Sequence, residues 1–274
     1  MLDGFKLGRV NGTSYYRTGR GPVLVLIHGV GMHAGFWAPQ LTALAEHWDV
    51  IAYDTLGHGG SPLPPEHPTL ADYSNQLRDL LDGLGIFQVC VAGHSMGALI
   101  ALEFALSHPA RAGAVVAMNA VYCRTPAQRE AVVQRAALLR GGGIADMSWR
   151  QAALDRWFGA PVPPGQLENT AWVGASLAAV DAVGYARAYA LFASADAAHA
   201  GRLRQLAVPA LFLTGEEDHN SSAEMSREMA REAPFGSAVA LPGERHMMSL
   251  TSPGVVNAAL THFLSSLSLT QAAQ

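Results

Sequence analysis

Apolar runs and helical stripes take turns along this chain of 274 residues. Val23 to His28 (VLVLIH) is a short continuous apolar run with GRGP before it and GVG after it, which reads as a buried strand opening into a loop. Val50 to Tyr53, Gln88 to Ala92, Ala112 to Met118, Ala210 to Thr214 and Ser237 to Leu241 repeat that pattern. Between them apolar residues recur at helical spacing: Leu41, Leu44 and Ala45 within 38–47, and Leu70, Tyr73, Leu77, Leu80, Leu81 and Leu84 within 70–84. Helices are also predicted over 96–108 and 253–267. Strands alternating with helices imply an α/β fold, a mainly parallel central sheet flanked by helices on both faces.

One stretch breaks the alternation. Residues 123–207 carry helical periodicity, as at Arg129, Val132, Val133, Ala136 and Leu139, without a strand. They read as a helical lid inserted between a first core part, 1–122, and a second, 208–274. The lid holds nine arginines against six carboxylates, so it is +3 and the rest of the chain is −7 within a total of −4. An ordinary solvated helix surface would account for this; the sharper reading is a lid that attracts an anionic substrate.

Composition narrows the classes. No run of Lys or Arg provides the footprint of a nucleic-acid binder, and the apolar runs are far shorter than a membrane span. The N-terminus lacks a signal-like apolar region, and Cys90 and Cys123 have no CxxC spacing, so two buried thiols in a reducing cytoplasm are expected. The partner expected is a small molecule, and the sequence leaves room for a homo-oligomer.

The chemistry concentrates at strand ends. Gly93-His94-Ser95-Met96-Gly97 lies between the strand QVCVA and a helix, the place where a nucleophilic serine sits on a strained turn with glycines removing side chains that would clash. The helix start behind it supplies free N–H groups and positive potential for an oxyanion. His28-Gly29-Val30-Gly31 matches a loop that donates a second N–H, so Val30 and Met96 are the expected donors, with Gly31 the rival to Val30; His28 itself is expected to tie down the loop. A base and its orienting acid should follow in the chain. Asp218 in TGEED, after the strand ALFLT, is the candidate acid ahead of Glu216 and Glu217. His246, in the loop before the last helix, is the candidate base ahead of His219, His199 and His262.

In their order, HGVG, DTLGHGGS at Asp54 to Ser61, GHSMG, TGEED and His246 resemble the α/β-hydrolase superfamily from about Val23 to Leu264. The resemblance implies an α/β-hydrolase fold and makes Asp54 and His58 structural; the alternative, a His and Asp metal pair, lacks a third ligand, so no metal and no cofactor are expected. DRWFGAP at Asp155 to Pro161 and YARAYALFASAD at Tyr185 to Asp196 are similar to the 3-oxoadipate enol-lactonase group and to amide hydrolases acting on small ring-opened acids, although His94 before the serine departs from the enol-lactonase pattern. The function expected is hydrolysis of an ester, enol-lactone or amide bond of a small carboxylate-bearing metabolite through an acyl-Ser95 intermediate. Arg156, Trp157 and Tyr189 are the candidate substrate contacts. The alternatives are a C–C bond hydrolase using the same three residues and a non-catalytic ligand-binding protein on the same fold.

Overall fold

The computed structural model describes residues 5–140 and 146–271. Residues 1–4, 141–145 and 272–274, which belong to the first core part, the lid segment and the second core part as read above, lie outside them. Eight strands form one sheet: β1 (Leu7–Val10), β2 (Thr13–Thr18), β3 (Val23–Ile27), β4 (Asp49–Tyr53), β5 (Val89–His94), β6 (Ala112–Met118), β7 (Ala210–Gly215) and β8 (Gly236–Leu241), in the order β1-β2-β4-β3-β5-β6-β7-β8. From β4 to β8 every pairing is parallel; β1 and β2 are antiparallel additions at one edge. The inner strands are apolar on both faces because both faces are covered: Leu24, Val25, Leu26 and Ile27 are wholly buried.

The edge hairpin is not among the expected strands. Its turn, Asn11-Gly12, has φ of 49° and 82°, the pair of positive values that a two-residue hairpin turn demands and that Asn-Gly supplies at low strain. A second unexpected element is α8 (Ala223–Glu232), begun by Ser222, whose side chain accepts from the Met225 N–H.

The expected helices form as α1 (Ala38–Leu44), α2 (Leu70–Gly83), α3 (Met96–Ser107) and α10 (Pro253–Gln271), with a short α9 (Met248–Thr251) before the last. A capping box starts α2: the Thr69 hydroxyl accepts from the Asp72 N–H at 3.3 Å and Asp72 accepts from the Thr69 N–H at 2.7 Å. Helix α3 is buried on all sides from Met96 to Ala105. With roughly 1.5–3 kcal/mol for each large apolar side chain removed from water, Leu99, Ile100, Leu102 and Phe104 alone hold it firmly behind Ser95.

Between β6 and β7 the described residues contain four helices, α4 (Pro126–Arg140), α5 (Met147–Phe158), α6 (Leu167–Ala179) and α7 (Ala182–Ser194), and no strand. They cover the carboxyl edge of the sheet. Asp196 ties the incoming and outgoing chain together: its carbonyl accepts from the Cys123 N–H at 2.9 Å and its carboxylate from the Arg124 N–H at 2.8 Å and from Arg129 at 2.9 Å. At this outward turn Cys123 is exposed, contrary to the two buried thiols expected, while Cys90 is half-buried in β5. No helix of the described residues is long and apolar enough to cross a membrane.

Candidate active site

The parallel strands end at one edge of the sheet, and the chemistry-bearing residues follow directly from those ends: His28 after β3, Ser95 after β5, Asn119 after β6 and Asp218 just beyond β7. Ser95 stands between β5 and α3 with φ 55° and ψ −117°, a left-handed, strained conformation for a residue with a Cβ. The turn is so tight that a Cβ on Gly93 would strike the Gly97 carbonyl, and one on Gly97 would strike the carbonyls of Ile27 and His28. Both motif glycines therefore have a steric reason. The Ser95 N–H donates to the Met118 carbonyl at 2.8 Å, which fixes the turn to β6.

Asp218 and His246 meet at 2.7 Å between Oδ2 and Nδ1, both nearly wholly buried. The same Oδ2 accepts from Asn119 Nδ2 at 2.8 Å, and Oδ1 accepts from the N–H groups of Asn220 at 2.9 Å and Ser221 at 3.2 Å. Burial pushes the Asp218 carboxyl upward, yet the His246 charge and these hydrogen bonds outweigh it and hold the group below the ordinary carboxylate range. The rival acids are elsewhere: Glu216 and Glu217 are exposed, and Glu217 pairs with Arg245 at 2.6 Å. Of the rival histidines, His199 is buried against Glu103 at 3.2 Å, His262 is exposed on α10, and His219 is exposed at the pocket wall.

The loop after β3 is held by two buried histidines. His28 Nε2 accepts from the Thr55 N–H at 3.0 Å while its Nδ1 faces the Gly29 carbonyl at 2.8 Å; His58 Nε2 accepts from the Gly31 N–H at 3.0 Å. Burial pushes both imidazoles down to about 3, so they act here as neutral acceptors. The Gly31 N–H is thereby engaged, whereas Val30 lines the pocket beside Ser95. Met96 opens α3, so its N–H is one of those that have no carbonyl partner within the helix. Asp54 accepts from the N–H groups of Ala34 and Gly60, both at 2.8 Å, consistent with the structural part expected of it. Among the described residues no group of side chains could hold a metal ion.

A cavity of about 420 Å³ joins these residues to the helices between β6 and β7, with Ser95, Val30 and His246 on the sheet side and Arg156, Trp157 and Tyr189 opposite. Trp157 stacks on the His246 ring at 6.1 Å and 22°. Arg156 is half-buried, and among the described residues no carboxylate lies within ion-pair distance of it. Its guanidinium is pulled below its ordinary value by burial, with the Tyr189 phenol opposing and the Arg135 charge adding to the effect. Arg135 donates to the Tyr189 hydroxyl at 3.2 Å.

Comparison with known proteins identifies the family. The sequence profile of the Alpha/beta hydrolase family matches residues 24–259. The chain belongs to that family. Among its relatives, (E)-2-((N-methylformamido)methylene)succinate hydrolase of Acinetobacter baylyi is 39% identical over 252 residues, 91% of this chain and 93% of the relative. A putative carbamate hydrolase, RutD, of Enterobacter cloacae is 31% identical over 256 residues, covering 90% and 92% of the two chains. The crystal structure of the enol-lactonase from Burkholderia xenovorans LB400 superimposes with a TM-score of 0.85 at 28% identity, over 95% of this chain and all of that one.

Within this hydrolase the pocket also contains residues that motif reasoning passes over. Arg135 shares a face of α4 with Gln128, Ala131 and Val132, so the helical spacing that marks Val132 as buried carries the signal for it too. Arg124 reaches the pocket from the lid's first turn, stacked 4.6 Å over Phe192 and 3.6 Å from Asp196. Asn119 has no local signature at all, because its partner Asp218 lies 99 residues away.

Proposed function

We propose that this hydrolase cleaves an ester, enol-lactone or amide bond in a small carboxylate-bearing metabolite through an acyl-Ser95 intermediate. The observation that carries the reading is Ser95 on its strained elbow, sharing one cavity with a His246 whose Nδ1 is held 2.7 Å from a fully hydrogen-bonded Asp218. His246 Nε2 would take the Ser95 proton as Oγ attacks the carbonyl carbon, with Asp218 fixing the tautomer and stabilising the imidazolium. The N–H groups of Val30 and Met96 would receive the oxyanion. Collapse expels the leaving group with the proton from His246, and water, deprotonated by the same imidazole, releases the acid product and regenerates Ser95.

The lid wall supports the substrate class. Arg156 is a half-buried cation with no carboxylate within ion-pair distance among the described residues, Arg135 stands near it, and an arginine grips a carboxylate through paired charge-assisted hydrogen bonds. The relatives whose names specify a substituted succinate and a carbamate, and the enol-lactonase that shares the fold, point toward small acyl compounds. A panel of enol-lactones, small N-acyl amides, p-nitrophenyl esters and a vinylogous diketone tests the reading. Turnover of carboxylate-bearing amides or lactones well above the others is expected; cleavage of the diketone alone would transfer the same residues to C–C bond hydrolysis.

A further inference from the structure

The imidazole beside the nucleophile has no part in the chemistry above. His94 is the last residue of β5, 1% exposed, with its Nε2 2.8 Å from the main-chain carbonyl of His246, a residue 152 positions away. We infer that His94 is a positioning residue for the base: its Nε2–H holds the backbone of His246 so that the ring above it faces Ser95. The inference rests on the reading of Ser95 as nucleophile and His246 as base.

Three features converge on it. A carbonyl only accepts, so the hydrogen must sit on Nε2, and that leaves Nδ1 as a buried acceptor without a partner among the described residues. A group kept in that unfavourable state needs a compensating contact, and the bond to His246 is the one polar contact the ring makes here. The ring is also clamped, 4.8 Å from Phe36 and 4.9 Å from the His246 ring, so it cannot swing away from that carbonyl without unpacking the core. Finally, burial, with the neighbouring His246 adding to it, pushes the imidazole down to about 3, so it remains a neutral donor over the whole working range.

Asp218 fixes one ring nitrogen of His246 and Trp157 stacks on its face, but neither fixes the main chain that carries the ring. His246 lies in the loop between β8 and α9, and His94 ties that loop directly to the residue preceding the nucleophile. The elbow and the base are thus linked by one side chain. Losing that link would let the base drift relative to Ser95, and a misplacement of about 1 Å costs on the order of 10²-fold in rate.

Three variants test this. His94→Phe keeps the ring and removes the donor; His94→Gln puts an amide N–H where Nε2 stands; His94→Asn puts one a bond short. With any substrate turned over by the wild type, Phe and Asn should lower kcat by about 30- to 100-fold with KM within about threefold, and Gln should recover to within about fivefold of wild type. Equal kcat for Gln and Asn, a folded Phe variant within threefold of wild type, or a loss carried by KM would overturn the inference. If the Phe variant does not fold, the Gln and Asn pair decides alone. Ser95→Ala is assayed alongside: if it stays active, the underlying mechanism fails and not the strut.

Discussion

The two walls of the pocket are built on opposite rules. On the sheet side, Asp218 accepts four hydrogen bonds, His28 and His58 are each bonded at both ring nitrogens, and Ser95, Asp218 and His246 are all buried. On the opposite side, Arg135 and Arg156 are half-buried cations with no carboxylate within ion-pair distance among the described residues, Asp155 being the smallest of the influences on Arg156. A wall in which the acid and the loop histidines are held by several hydrogen bonds each is preorganised and suited to bond-breaking. A wall with unanswered positive charge is suited to an incoming anion, which would supply the missing partner. On the proposed reading, the contrast assigns reactivity and recognition to different layers of the fold.

Substitutions on the sheet side should therefore strike kcat, and those on the lid side KM. The largest effect is expected for Ser95→Ala, a fall in kcat by a factor on the order of 10⁵ to 10⁶ in a protein that still folds; steady-state assay beside a thermal melt checks it, and more than a tenth of the activity remaining would break the comparison. Asp218→Asn should lower kcat by about 10³ to 10⁴, because the wrong tautomer is then favoured at His246, whereas Glu217→Gln should change it little, since Glu217 is exposed and pairs with Arg245 rather than with His246. On the lid side, Arg156→Ala should raise KM for a carboxylate-bearing substrate by about 10- to 100-fold, the weight of a charge-assisted hydrogen bond, and leave a neutral ester nearly unchanged. Its kcat/KM should also lose the salt dependence expected of the wild type, since surface fields are screened over about 10 Å at 0.1 M. Equal effects on both substrates would make the lid charge ordinary surface.

A last effect concerns stability rather than turnover. His28, His58 and His94 remain neutral in the fold down to about pH 3, whereas the unfolded chain takes up a proton at each near its ordinary value. More protons are bound unfolded than folded between those limits, so stability should be full above about pH 6.5 and fall as pH drops toward 3, each histidine adding one proton to the slope. Denaturant melts across that window check it, and His58→Gln should reduce the slope by one proton. A flat profile would contradict the neutral assignment.

Much of this fold is legible because buried parallel strands write themselves as unbroken apolar runs: VLVLI and VIAY need no tertiary knowledge to be read. The site is legible where chemistry demands a fixed local geometry, as in the glycines around Ser95. The edge hairpin is weaker because only Thr13 and Ser14 of β2 are buried and both are polar, so only Asn11-Gly12 marks it. Arg135 is encoded in the face of α4 but not in any motif. Asn119 and His94 are out of reach for a physical reason: each acts through one atom of a residue 99 or 152 positions away, and no local pattern records such a bond.

The central claim, a covalent role for Ser95, is tested most directly by titrating the enzyme with a fluorophosphonate, mapping the adduct by peptide mass spectrometry and following turnover on the same samples. One adduct per chain on Ser95, with activity lost in step and labelling abolished in Asp218→Asn or His246→Ala, is the predicted result. An adduct elsewhere, or turnover that survives complete modification of Ser95, would contradict the account.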